Sequence, residues 1–116
     1  MSNHKIWILG INPENPNQLI LSVKDKITNN LNVKPGDKVS WEIKKKSGVA
    51  SISITKNESS KNVFSKGPKE IKDSSSWKGT VDPDITVPSN ELYTIHFTPK
   101  GSKEIHRYDP KISVNN

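Results

Sequence analysis

The three histidines are the side chains in this sequence with the most obvious chemical use. An imidazole can bind a metal ion or move a proton near neutral pH. His96 stands between Ile95 and Phe97 on a predicted strand, so alternation places it on the opposite face from these two residues. His4 lies near the N-terminus and His106 lies in a predicted loop. The spacing therefore predicts three separate surface imidazoles, no shared metal site and no cofactor.

The remaining reactive groups predict no catalytic site. The chain has no cysteine, which excludes disulfides, thiolate metal ligands and cysteine nucleophiles. Asp82-Pro83-Asp84 and Asp109-Pro110 have the composition of turns. The serines at 59–60 and 74–76 have no nearby base, so they are interpreted as loop residues. We expect a protein that is not an enzyme.

The elements that must position these groups are predicted to be strands. Isoleucine and valine supply 21 of the 28 Leu, Ile, Val and Phe residues, and such branched side chains favour strands. Eight prolines and six glycines separate the short apolar runs. The sequence thus predicts one all-β domain over residues 1–116, a β-sandwich of about seven or eight strands.

Local patterns place the core and the surface. Residues 5–11 are apolar enough for a strand buried on both faces, and Trp7 and Trp41 are expected in the core. Residues 25–32 are expected to form a connection. Residues 56–77 are rich in Ser and Lys and predict a long surface excursion, with a short strand near Val63 and one helical turn near 69–72.

Two segments carry the strongest strand patterns. Residues 31–43 contain a turn at 34–37 followed by Val39, Trp41 and Ile43 on one face, after which Ala50, Ile52 and Ile54 share a face. In the last quarter of the chain, the alternating residues of one strand are Tyr93, Ile95 and Phe97. A loop with Pro99 and Gly101 follows, and Ile112 and Val114 alternate on a closing strand.

These two blocks, residues 31–54 and 92–115, resemble the cupredoxins, the family of plastocyanin and azurin. The first block resembles the family's Gly-Asp turn and V-x-W strand, and the second its aromatic-led strand and terminal strand. The resemblance implies a Greek-key β-sandwich.

The same resemblance implies that the copper ligands are missing. A blue-copper site uses a thiolate, two imidazoles and usually a weak axial thioether. The resemblance places the first histidine at Ala50, the cysteine at Phe97, the second histidine at Lys100 and the methionine within 105–108. None of these positions carries the expected donor. Ala50 and Phe97 are expected to fill the former metal site with apolar groups.

The charge of the chain leaves two interpretations open. The net charge is +6, and 17 of the 18 basic residues are lysines, so Arg107 alone offers the planar fork used for specific base recognition. The lysines predict either a solvated surface or an anion-binding face. No apolar run is long enough to span a membrane, and the N-terminus lacks the features of a signal peptide. We expect a cytoplasmic protein if Met1 is the native start.

The function that follows is a copper-free, non-catalytic module that binds another protein or has a structural role. Its interaction surface is predicted at the end of the sandwich that would have carried the metal loops, with contributions from residues 46–48 and 100–108. The candidate residues are Trp77, Lys100, His106, Arg107 and Tyr108. Trp77 could instead cover the edge of the sandwich. The alternative function is non-specific binding of a polyanion such as nucleic acid through the lysine surface.

Overall fold

The structure is a computed structural model that describes residues 2–72 and 74–116. Segments with alternating branched side chains form strands throughout it. Within these residues there are eleven strands and no helix, so the all-β prediction is confirmed and the expected number of strands was too low. The strands are β1 (Asn3–Ile11), β2 (Leu19–Val23), β3 (Lys26–Ile27), β4 (Asn30–Val33), β5 (Lys38–Ile43), β6 (Val49–Lys56), β7 (Phe64–Glu70), β8 (Trp77–Val81), β9 (Ser89–Pro99), β10 (His106–Tyr108) and β11 (Lys111–Val114).

The strands form two mixed sheets. One sheet has the order β3-β2-β1-β5-β8-β7, and β1 and β5 run parallel in it. The other has the order β10-β9-β11-β4, with β6 on β9 and with β11 parallel to β4. Strands β10 and β11 pair with β9 in one continuous antiparallel register, in which Tyr108 lies opposite Ile95 and Lys111 opposite Leu92. Pro110, which has no N–H to donate, lies at the break between them.

Both sheets contribute one face to a common apolar core. The buried residues alternate along the central strands and include Ile6 and Ile8 of β1, Val39 and Trp41 of β5, and Tyr93, Ile95 and Phe97 of β9. Trp41 is fully buried, and its indole Nε1 donates a hydrogen bond to the Tyr93 hydroxyl at 3.2 Å. Its rings meet those of Phe64 and Tyr93 edge to face, at centroid distances of 5.8 and 5.6 Å. Trp41 therefore joins the two sheets.

A buried carboxylate fixes the start of β1 to the turn before β5. Asp37 accepts hydrogen bonds from the Ser2 backbone N–H at 3.0 Å, the Lys34 N–H at 2.9 Å and His4 Nε2 at 2.8 Å. The turn at 34–37 was predicted correctly, and Gly36 takes a φ of 84° there. The prediction that His4 is a surface imidazole was wrong, because His4 is half-buried and paired with Asp37.

Trp7 is not a core residue, contrary to the sequence-based prediction. Ile6 and Ile8 occupy the inner positions of β1, so alternation turns Trp7 to the outer face, where it is half-buried. The Nζ atoms of Lys5 and Lys44 lie 5.3 and 4.6 Å from its ring centroid. Strand β1 is thus fully buried on one face only.

Ala50 is exposed, although it was predicted to share a face with Ile52 and Ile54 and to fill a former metal site. The pairing of β6 with β9 shifts by one residue between Val49 and Ser51. This bulge turns Val49 into the core and Ala50 outward. Phe97 is buried as predicted.

Two predicted connections contain strands. Within the expected surface excursion at 56–77, residues 64–70 form β7, the edge strand of the first sheet. The helical turn predicted near 69–72 was wrong, because residues 69 and 70 complete β7; Asp73 lies outside the described residues. The expected connection at 25–32 includes β3 and the start of β4.

The contact between Trp41 and Tyr93 predicts the effect of removing one hydroxyl. Burial raises the pKa of Tyr93, so the phenol stays protonated at physiological pH and accepts the indole hydrogen bond. Tyr93→Phe leaves the buried Trp41 N–H without a partner and should lower the free energy of unfolding by about 1–3 kcal/mol. Urea unfolding measures this. In the control, Tyr108→Phe, the lost hydroxyl has no hydrogen-bond partner among the described residues, and an equal loss there would contradict the prediction.

Asp37 predicts a loss of stability in acid. Burial raises the pKa of its carboxyl, but the hydrogen bonds from Ser2, His4 and Lys34 outweigh burial, and the net pKa lies below the ordinary 3.8. The ionised carboxylate therefore stabilises the fold above pH 3.8, and this contribution falls as the pH drops below that value toward the folded-state pKa. In unfolding titrations, Asp37→Asn should destabilise the protein at neutral pH and flatten the acid limb. Asp84→Asn, at an exposed turn, should leave that limb unchanged.

Candidate interaction surfaces

The loops that follow β1, β5 and β9 meet at one end of the molecule, here called the loop end (residues 12–18, 44–48 and 100–105). The Lys44 N–H donates to the Ile8 carbonyl at 3.0 Å, which holds the β5 loop beside the end of β1. The Lys100 N–H donates to the Gly48 carbonyl at 2.8 Å, which joins the β5 and β9 loops. The structure therefore brings Lys100 and residues 46–48 together, and Lys100 is exposed.

His106 connects strand β10 to the loop end. In the β9–β10 register it lies opposite Phe97, and the two rings stack at 5.4 Å between centroids with 23° between their planes. Its Nδ1 donates to Asn17 Oδ1 at 2.6 Å, which links β10 to the loop after β1, while Glu104 lies 3.7 Å from Nε2. The side chain is only 18% exposed, so the prediction of a surface imidazole was wrong. His96 does face away from Phe97, with Nε2 3.4 Å from Thr55 Oγ1.

Arg107 and Tyr108 alternate along β10 and so face opposite sides of the second sheet. The Arg107 side chain is exposed and makes ion pairs with Asp109 at 3.2 Å and Glu58 at 3.6 Å. Tyr108 packs partly against the core and lines an open groove of about 420 Å³ together with Asn12 and residues 18–21 and 27–29. One flat partner surface cannot contact both side chains.

Trp77 belongs to the first sheet. It lies opposite Trp41 on β8, is half-buried and packs against the core. Its indole Nε1 is buried and has no hydrogen-bond partner among the described residues. Of the two interpretations made from the sequence, this placement favours the one in which Trp77 covers the core.

Ile105 lies within the predicted surface at 100–108, but the sequence patterns did not single it out. It is 73% exposed in the loop between β9 and β10, beside the exposed residues Lys103 and Glu104. Ile27 on β3 is also 73% exposed. Hydrophobic periodicity in the sequence did not indicate that Ile105 and Ile27 are exposed, because Ile105 lies in an irregular loop and β3 has only two residues.

The outer face of the first sheet concentrates positive charge. The β1–β5 and β5–β8 registers place Lys5, Lys38 and Lys78 on this side, and β7 adds two lysines. We define the lysine face as Lys5, Lys38, Lys44, Lys66, Lys69 and Lys78. In the part of the chain that the structure describes, the strand registers place one carboxylate on it, Glu42, which lies 3.0 Å from Lys5 Nζ. Sequence composition revealed the lysines but not their shared face.

Among residues 2–72 and 74–116, no three His, Asp or Glu side chains are placed to hold a metal ion. In the same residues there is no helix long and apolar enough to cross a membrane.

Comparison with known proteins does not assign this chain to a family. No protein-family model matches the chain, and no curated protein is significantly similar to it.

Proposed function

We propose that this protein is a copper-free, non-catalytic cupredoxin-like domain that binds a partner protein through its loop end. The Greek-key arrangement is part of this proposal. The chain crosses from one sheet to the other in five connections, which are β3 to β4, β4 to β5, β5 to β6, β6 to β7 and β8 to β9. Such crossings support a Greek-key sandwich. The two blocks that resemble cupredoxins supply β4 to β6 and β9 to β11.

The positions that correspond to copper ligands support a role without copper. Ala50 is exposed on a bulge, Phe97 is buried and Lys100 is exposed in a loop. The histidine nearest to Phe97 in the β-ladder, His106, uses Nδ1 to hold Asn17. None of these side chains supplies the thiolate that a blue-copper centre requires.

The observation that supports the proposal is an exposed apolar side chain on a loop segment whose two ends are held by hydrogen bonds. Ile105 projects from a segment whose two ends are held by the Lys100–Gly48 and His106–Asn17 hydrogen bonds. Rigid loops lose little entropy on binding, and an apolar anchor within a polar rim is typical of protein interfaces. The exposed lysines at 100 and 103 favour a partner with an apolar pocket and an acidic rim.

The lysine face supports a second function, non-specific binding of a polyanion such as nucleic acid. Six lysines share one side of the first sheet with a single carboxylate among the described residues. Lysine ammonium groups neutralise phosphates without reading the bases, so the expected binding is independent of sequence.

The loop-end proposal predicts that Ile105→Asp reduces partner binding at least about tenfold, because a charge replaces the apolar anchor. The measurement is quantitative capture from a lysate of the native host, followed by titration of each captured protein. Ile27→Asp is the matched control, since Ile27 has the same 73% exposure. Partners that bind both variants alike, or that both variants lose, would contradict the proposal.

The polyanion proposal predicts binding to duplex DNA that weakens steeply with salt. The triple variant Lys5→Glu, Lys44→Glu and Lys66→Glu should reduce the slope of log K against log salt by about 3, because three phosphate contacts are lost. A control with the same charge change at exposed positions away from this face uses Lys61→Glu, Lys103→Glu and Lys111→Glu. If the control lowers the slope equally, the total charge is responsible and the lysine face is not the binding surface. Fluorescence anisotropy across a salt series gives both slopes.

A further inference from the structure

A basic groove of about 420 Å³ lies on the outer face of the first sheet, between β5, β8 and β7. Four lysines surround it, and three glycines and Thr80 complete its lining. The lysines are Lys38, Lys66, Lys69 and Lys78. The β5–β8 register places Lys38 opposite Thr80, and the β7–β8 register places Lys66 opposite Thr80 and Lys69 opposite Lys78. Side chains from three strands therefore converge on one small volume.

A bulge in β7 makes this convergence possible. Lys66 and Lys69 are three residues apart, and regular alternation would turn them to opposite faces. The register shifts between them, so both lie opposite outward residues of β8. Gly67 lies within the bulge with a φ of 73°, and a Cβ atom there would come within 2.6 Å of the Lys78 carbonyl oxygen. Only glycine fits this close backbone approach without a shift of β8.

Within the described residues, no carboxylate is placed to neutralise the charge in the groove. Among them, no acidic side chain lines the groove, and none of its four lysines lies within ion-pair distance of a carboxylate. Lys69 and Lys78 are direct cross-strand partners, and like charges in that position destabilise a sheet. An anion bound between them would remove this repulsion.

We propose that this groove binds the phosphate group of a small phosphorylated molecule. Its volume is in the range of small-ligand sites. Lysine ammonium groups bind phosphate as point charges, and Thr80 adds a hydroxyl donor. The site is independent of the loop end and differs from polyanion binding because it saturates with one ligand per chain.

The test is a titration of the full chain, at ionic strength held constant with sodium chloride, with inorganic phosphate, ATP and adenosine. Amide chemical shifts and calorimetry report the site and the stoichiometry. Inorganic phosphate, ATP or both should bind once per chain and shift the amides of Gly67, Lys69 and Gly79, while adenosine should not. Binding by phosphate alone would indicate a free anion as the ligand, and stronger binding by ATP would indicate a phosphorylated molecule.

Two variants with the same change in charge test whether the ligand binds in the groove. The combined change Lys69→Gln and Lys78→Gln should weaken binding at least about tenfold, because two charge-assisted contacts are lost. Lys24→Gln with Lys26→Gln removes the same charge from the β2–β3 turn and should change affinity less than about twofold. Thermal unfolding checks that both variants fold, and the groove variant should melt no lower than wild type.

Three results would overturn the proposal: shifts that map elsewhere, equal weakening in both variants, or equal binding of adenosine. Duplex DNA bound through the lysine face, with neither phosphate nor ATP bound, would also overturn it. That last result would leave the polyanion function intact, so the failures of the two proposals can be told apart.

Discussion

The hydrogen bond from Trp41 to Tyr93 ties together the two central strands on which the rest of the molecule is built. Trp41 lies on β5, between β1 and β8, and Tyr93 lies on β9, between β6 and the β10–β11 edge. A chain with few large apolar residues uses one indole to fill the space between its sheets, and a buried indole N–H requires a partner. Because β5 and β9 are fixed relative to one another, the loops that leave their ends are fixed too. The loop end thus depends on a contact in the core.

Sequence patterns predicted the fold best where a strand buries one face and a recognisable turn precedes it. Val39 and Trp41 after the turn at 34–37 are the clearest case, and Tyr93 to Phe97 is the second. The failures have local causes. Trp7 was expected in the core because it is aromatic, yet the inner positions of β1 belong to its neighbours. Ala50 was misplaced because a bulge shifts the register, and the sequence does not reveal where a bulge will occur. A short strand was expected near Val63, but the extension of β7 to Glu70 was not, because its outward positions are lysines and its apolar content is low.

The candidate surfaces were less predictable than the strands, because they depend on residues far apart in the sequence. The expected proximity of residues 46–48 to Lys100 came from the resemblance to cupredoxins, and the structure places Lys100 in contact with Gly48. The hydrogen bond between His106 and Asn17 joins residues 89 positions apart, and no spacing rule predicts it. Composition gave the number of lysines, but their common face follows only from the order of β1, β5, β8 and β7 in one sheet.

The loop end and the groove differ in the interactions that their polar and charged groups make in the free protein. The loop end is held by hydrogen bonds between its segments, among them those from Lys100 to Gly48 and from His106 to Asn17. The groove between β5, β8 and β7 holds opposed lysines that repel one another in the free protein. A ligand that binds only the folded state stabilises it in proportion to the logarithm of ligand concentration over Kd. An anion in the groove would therefore add stability at the edge of the sheet where Lys69 lies opposite Lys78, whereas a partner at the loop end would bind loops that hydrogen bonds already join. On this argument, occupancy of the groove alters the stability of β7 and β8 and leaves the loop end unchanged.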